Sequence, residues 1–181
     1  MIAWDTFRLS PVPFSNKKFD NMIQGFLLSH FSTSARILDV GAGMGKYSDM
    51  LPNYTLDGVE IFEPFVEQYN LHSKYRNIYI CHIADFSFEQ YQYDLVIFGA
   101  VLEHLSIHEA QTVLKSVHTG GAKSFVTVPY LYPQGELCNN IYETHLQPDL
   151  TPNTMAKRYP DLHLLHRDDE HAIYIGPTNW A

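Results

Sequence analysis

The chain has 181 residues, 45% of them hydrophobic and 18% charged, which suits one domain with a substantial core and argues against a disordered chain. A formal net charge of −8, with Lys17-Lys18 as the longest basic cluster, argues against nucleic acid as a partner, because neutralising phosphates needs clustered Lys and Arg. No run of about 18 apolar residues is present to span a membrane. The N-terminus lacks a secretory pattern, and Cys81 and Cys138 form no CxxC pair, so a cytoplasmic protein without a disulfide framework is expected.

Residues 1–14 carry Trp4, Phe7, Pro11, Pro13 and Phe14 without periodicity and read as an irregular arm that covers core or lids a pocket. Ser15 is placed as an N-cap, and Phe19, Met22, Ile23, Phe26 and Leu27 at 3/4 spacing predict an amphipathic helix over 16–30. Ile37, Leu38 and Val40 form an apolar run too short for a helix and right for a buried strand. Gly41, Gly43 and Gly45 follow at alternate positions, and a short helix from Lys46 is stopped by Pro52. A glycine turn between a buried strand and a helix lets backbone N–H groups approach a ligand closely, as at nucleotide-like cofactor sites.

Residues 55–60 predict a second strand ending in the carboxylate Glu60, and Pro64 suits the first turn of the next helix. Residues 77–83 predict a third strand, with Cys81 inside it, running into Ala84-Asp85-Phe86, and 87–92 a short helix or loop. Residues 93–98 predict a fourth strand leading into Gly99-Ala-Val-Leu-Glu-His-Leu105, and Ser106-Ile-His-Glu109 has the capping-box pattern of a helix start. Ala110, Val113, Leu114 and Val117 form that helix's buried face, stopped by Gly120-Gly121, and a fifth strand spans 124–128. Residues 129–150 form a long polar and aromatic connection, a length that points to function. Thr151-Pro152 opens a short helix, and 162–165 and 172–175 flank a charged turn as an antiparallel hairpin.

Strands alternating with helices predict an α/β, doubly wound, mostly parallel sheet with an antiparallel C-terminal hairpin. Ligands of such sheets sit at the carboxyl ends of the strands, where Gly41–Gly45, Glu60, Asp85 and Glu103 all fall. The glycines read G-x-G-x-G; a dinucleotide fingerprint would require glycine where Lys46 stands, and no G-K-[ST] of a phosphate loop follows.

The stretches Ile37-Leu-Asp-Val-Gly-Ala-Gly-Met-Gly45, Gly58-Val-Glu60, Ala84-Asp-Phe86, Tyr93-Asp-Leu-Val-Ile97 and Val101-Leu-Glu-His-Leu105 resemble the ordered motifs of class I S-adenosylmethionine-dependent methyltransferases. The resemblance covers about residues 35–130 and implies a Rossmann-like sheet of seven strands with the last reversed, with S-adenosyl-L-methionine as cofactor. Carried over, Gly41, Gly43 and Gly45 line the methionine end, and Asp39 orients that loop and the amino group. Glu60 accepts from both ribose hydroxyls, and Ile61 lies on the adenine. Asp85 and the Phe86 backbone N–H meet its amino edge, while Gly99 and Ala100 border the sulfonium. The bland alternative is that Asp39 and Glu60 cap helices and the glycines form a tight turn.

The segments Val128-Pro-Tyr-Leu-Tyr-Pro-Gln-Gly-Glu136 and Asn140-Ile-Tyr-Glu-Thr-His-Leu146 resemble an insertion found in a subset of bacterial methyltransferases, which implies a small-molecule or glycan-like methyl acceptor. Tyr130, Tyr132, Gln134, Tyr142 and Glu143 are the candidate acceptor-binding residues. His145 and His104 are the candidate bases for a hydroxyl acceptor, a nucleophile that benefits from one. The organisation expected is a single domain: arm and first helix over 1–34, cofactor-binding core over 35–128, acceptor-side insertion over 129–150, terminal helix and hairpin over 151–181. No metal site is expected, since His104 and His108 lack a third ligand and His163 and His166 point to opposite faces of a strand. The function expected is O-methylation of a small or sugar-like substrate, the alternative a catalytically silent cofactor-binding module; oligomeric state is not legible.

Overall fold

A computed structural model describes residues 17–137, 139–178 and 180, so the arm at 1–14 and the cap at Ser15 fall outside the described residues. The first helix, α1, runs Asp20–His30, four residues later than its periodicity suggested, and its N-cap Phe19 makes no side-chain capping bond. Chain order continues β1 Ile37–Val40, α2 Lys46–Met50, β2 Leu56–Glu60, α3 Glu63–Gln68, β3 Asn77–Ile80, β4 Leu95–Gly99, α4 Ile107–Thr119 and β5 Lys123–Pro129. It closes with α5 Pro152–Arg158, β6 His163–Arg167 and β7 His171–Gly176.

The strands form one seven-stranded sheet in the order β3-β2-β1-β4-β5-β7-β6. β1 to β5 pair in parallel, whereas β7 is antiparallel to both β5 and β6. Successive side chains of a strand point to opposite faces, and the central strands use both. Ile37, Leu95, Ile97 and Phe125 pack with Ile23 and Leu27 of α1, Tyr47 and Met50 of α2 and Val66 of α3. Leu38, Val96, Phe98 and Val126 pack on the other face with Ala110, Val113, Leu114 and Val117 of α4 and Met155 of α5. The sheet is thus covered on both sides, and each fully buried Leu, Ile or Phe contributes about 1.5–3 kcal/mol.

Local signals for the helix starts are realised as bonds. Ser106 Oγ accepts the Glu109 N–H at 3.3 Å while Glu109 Oε2 accepts the Ser106 N–H at 2.9 Å, a complete capping box on α4. Thr151 caps α5, with Pro152 in its first turn. The helix or loop expected at 87–92 is a single 3₁₀ turn, Phe88–Gln90.

The third strand is shorter than its apolar run. β2 ends at Glu60, so after the Cys81 N–H donates to the Glu60 carbonyl at 3.2 Å the chain has no neighbouring ladder to continue. It bends at Cys81 into a 3₁₀ turn, Ile83–Asp85, and Cys81 is half-buried past the strand rather than within it. Strand order reverses between β1 and β4, which sets the turn after β1 beside the turn after β4.

Candidate active site

A cavity of about 610 Å³ opens along the carboxyl ends of the parallel strands, within the range of small-molecule sites. Its first wall is the turn after β1. Gly41 and Gly43 have φ of +66° and +51°, a left-handed backbone that side chains rarely adopt. A Cβ on Gly41 would also stand 2.7 Å from Val101 Cγ2, so the turn and the segment after β4 approach each other as closely as glycine permits. The Gly41 and Ala42 amides are anchored on the Val59 carbonyl at 2.8 and 3.0 Å.

Glu60 closes this wall. One carboxylate oxygen accepts the Gly43 N–H and the other the Phe62 N–H, each at 2.8 Å, tying the glycine turn to the end of β2. Burial raises its pKa, and the amides of Phe62, Gly43 and Ile61 oppose the rise. Ile61 lines the cavity beside it.

Asp39 and Gly45 do not reach the cavity wall. Gly45 is the left-handed N-cap of α2, with Lys74 Cδ 2.5 Å from where a Cβ would lie. Asp39 is buried beneath the turn and accepts the Tyr75 hydroxyl at 2.6 Å, while its other oxygen has no partner. Burial pushes its pKa up to about 7 against the Tyr75 bond, with Glu60 adding to the rise and Lys46 opposing it.

The end of β3 departs most from the sequence reading. Asp85 is exposed and Phe86 sits in an aromatic cluster with Tyr79, Phe88 and Tyr91; neither lines the cavity. Because the strand ends at Ile80, it is Cys81, His82 and Ile83 that reach the wall. His82 Nδ1 accepts the Ala84 N–H at 3.1 Å, so the neutral ring carries its proton on Nε2 and presents a donor. The rule that ligands meet strand ends would have found His82 had the strand been cut three residues earlier.

The second wall follows β4. Gly99 and Ala100 both line the cavity. A Cβ on Gly99 would fall 2.4 Å from the Tyr47 ring, so glycine here is required by Tyr47. Ala100 has φ of +56°, an uncommon conformation for a residue with a Cβ, held by its N–H donating to the Thr127 carbonyl and hydroxyl at 3.0 Å. Beyond it the 3₁₀ turn Leu102–His104 carries Glu103 and His104 to the cavity.

The connection after β5 forms the third wall, and Tyr130, Tyr132, Gln134, Tyr142, Glu143 and His145 all line the cavity. Gln147 folds the connection onto the turn after β4: its amide donates to the Leu102 and Leu105 carbonyls at 2.8 and 3.0 Å, and its own N–H to the Glu103 carbonyl at 3.0 Å. Gln134 donates to the Glu143 carbonyl at 2.8 Å, and its carbonyl accepts the His145 N–H at 2.9 Å. Tyr130 shares a 2.5 Å hydroxyl contact with Tyr174, which fixes its ring.

This folding sets His145 against His104, with ring centroids 4.7 Å apart and edge-on. Burial, followed by His145, pushes His104 down to about 4, and burial lowers His145 too, so both rings are neutral near pH 7. Glu103 is 1% exposed, and burial pushes its carboxyl up to about 8. One ligating atom from each of Glu103, His104 and His145 lies within 4.8 Å of the others. No metal site was expected, because the sequence pairs His104 with His108, which is exposed, and gives no sign that His145 returns to the same turn. Glu143 is raised to about 6, by burial and then by Glu60, so the cavity concentrates acidic groups and suits a ligand carrying positive charge.

Residues 38–119 match the profile of a methyltransferase domain family. Curated proteins include no significant match to the chain. Among solved structures, the PH0226 protein of Pyrococcus horikoshii OT3 superposes with a TM-score of 0.66 at 14% identity, over 90% of this chain and 92% of that one. An S-adenosylmethionine-dependent methyltransferase from Clostridium acetobutylicum ATCC 824 gives 0.66 at 11% identity, over 90% and 91%. The N-terminal domain of EvdMO1, crystallised in the presence of SAH and D-fucose, gives 0.64 at 16% identity, over 90% and 83%. At these identities the likeness is one of fold, and it agrees with the observed strand order and the glycine turn. The chain has the class I methyltransferase fold, with the match to the methyltransferase domain lying across its first four strands and the helix that follows.

Proposed function

We propose that the protein is an S-adenosylmethionine-dependent methyltransferase acting on a hydroxyl of a small-molecule or sugar-like acceptor. The observation that carries this reading is Glu60, a buried carboxylate fixed opposite a left-handed glycine turn, in a cavity that continues without interruption to Tyr132, Tyr142 and His145. The residues fit the cofactor: the Gly41 cradle would be closed by a Cβ, and the acidic cavity favours a sulfonium and an ammonium. S-adenosylmethionine, when bound, supplies the activated methyl group.

Gly41 and Gly43 offer backbone to the methionine portion, with Asp39 supporting the turn from beneath and Gly45 starting α2. Glu60 accepts from the ribose hydroxyls, and Ile61 covers one adenine face. At the end of β3, His82 and Ile83 take the place that the sequence reading gave to Asp85 and Phe86. Gly99 and Ala100 leave the sulfonium unobstructed. Tyr130, Tyr132, Gln134, Tyr142 and Glu143 orient the acceptor, and alignment of its oxygen with the methyl and the sulfur supplies much of the rate. His104, at about 4, is a poor proton acceptor, so His145 is the better placed of the two to assist loss of the hydroxyl proton. The sugar present with the EvdMO1 domain makes monosaccharides a first acceptor panel.

The test is calorimetry with S-adenosylmethionine and its homocysteine product, followed by a turnover screen over sugars and small alcohols. Micromolar cofactor binding and turnover lost in His145→Ala, with cofactor affinity kept, is the expected result. Failure to bind either cofactor form ends the proposal, and binding without turnover on any acceptor favours a silent module.

A further inference from the structure

Among the described residues, Glu103 is the one fully buried carboxyl in the cavity whose two oxygens both lack a partner, apart from the residue's own backbone amide. Buried polar groups are nearly always paired, and an unpaired one calls for an explanation. Two neutral imidazoles stand beside it. His104 Nδ1 lies 3.3 Å from the Thr144 carbonyl and His145 Nδ1 lies 2.6 Å from the Tyr132 carbonyl. A carbonyl only accepts, so each Nδ1 carries the proton and, in the neutral ring, each Nε2 is the unprotonated nitrogen. Fixing a histidine tautomer by an Nδ1–H bond to a backbone carbonyl is the usual outer shell of a metal ligand.

The geometry points to a divalent transition-metal site made by Glu103, His104 and His145, on the acceptor side of the cavity. The ligating atoms lie within 4.8 Å of one another, and metal–ligand bonds of about 2.0–2.2 Å place ligands roughly 3–4 Å apart, so modest side-chain rotation closes the site. Two imidazoles and one carboxylate select zinc, manganese or iron over calcium or magnesium, and three protein ligands leave positions open for a ligand oxygen. Tyr132 and Glu143 stand at the same wall, so an acceptor hydroxyl enters those open positions. A ligated hydroxyl loses its proton more readily, the proton leaving to solvent. Metal binding rests on the geometry alone; its use in acidifying an acceptor rests on the methyltransferase reading. On this account the histidines assist deprotonation through the ion, and His104, too weak as a base, acts as a ligand.

The experiment is titration of the chelator-treated protein with zinc alone, read by calorimetry and by the metal content after dialysis, and with cobalt, read by its visible absorption. One equivalent is expected, with affinity falling at least tenfold in each of Glu103→Gln, His104→Ala and His145→Ala and unchanged in His108→Ala. S-adenosylhomocysteine binding is measured on every variant to show that the cavity remains folded. Sub-stoichiometric metal, or binding that survives Glu103→Gln and His145→Ala, overturns the site. Metal bound by a protein that binds no S-adenosylhomocysteine would sink the methyltransferase reading and leave the metal site standing.

Discussion

Replacing Glu103 by glutamine isolates the electrostatic cost of the buried carboxyl. In the folded chain burial holds this group near 8, whereas the unfolded chain ionises it near its ordinary 4.5. Between those values the native state keeps a proton that the unfolded state has lost, so stability falls as pH rises, by about 1.4 kcal/mol per unit. The contribution is complete below 4.5 and exhausted above 8. From pH 6.5 to 8 the wild type loses about 2 kcal/mol from this group that the variant keeps. The amide preserves shape and, like the protonated carboxyl, lacks partners, so any constant offset is independent of pH. Urea unfolding at pH 6.5, 7.25 and 8 in the presence of chelator gives the difference curve, and Asp39, raised to about 7, acts on both proteins alike and subtracts out. Parallel pH profiles for the two proteins would refute the assignment of a neutral buried Glu103.

Other outcomes follow from contacts described above. Glu60→Gln turns one of two accepting oxygens into a donor facing an N–H, and S-adenosylmethionine affinity should fall roughly ten- to a hundredfold by calorimetry, each hydrogen bond to a charged group being worth about 1.5–3 kcal/mol. Gly99→Ala places a methyl 2.4 Å from the Tyr47 ring and should cost about 1–3 kcal/mol in denaturant unfolding; an unchanged midpoint would mean that the ring yields. Gln147→Leu strips partners from the Leu102 and Leu105 carbonyls and the Tyr159 hydroxyl. It should cost at least about 2 kcal/mol, with amide protection lost at the Leu102–His104 turn, and full protection there would contradict its anchoring role. Tyr142→Ala should raise KM for the acceptor and leave cofactor affinity within about twofold in the same calorimetric titration.

What the sequence disclosed is what short-range chemistry encodes. Glycines needing a left-handed backbone, an apolar run bounded by a turn, and the Ser106–Glu109 reciprocal cap each depend on a few adjacent residues, and each was found where it was expected. The end of β3 was not, because an apolar run shows where a strand is tolerated, whereas the length of β2 decides where its ladder stops. Three residues of difference moved the cavity wall from Asp85 to His82. The Glu103–His104–His145 group lay further out of reach. Its members come from two segments some forty positions apart, joined by Gln147, a residue whose identity alone carries no mark of that task.

The connection after β5 is fastened at its root and exposes side chains at its tip. The Tyr130 and Leu131 amides donate to the Glu170 and Leu150 carbonyls at 2.7 and 3.0 Å, and Gln147 holds the returning segment, while Ile141, Tyr142 and Leu146 are 67%, 48% and 57% exposed. Substitutions on exposed side chains change stability by only about 0.5 kcal/mol. Evolution can therefore rewrite the tip of this segment at little thermodynamic risk, while the buried strands beneath preserve the donor side unchanged. On the proposed methyltransferase reading, such an arrangement makes acceptor choice an inexpensive trait to alter.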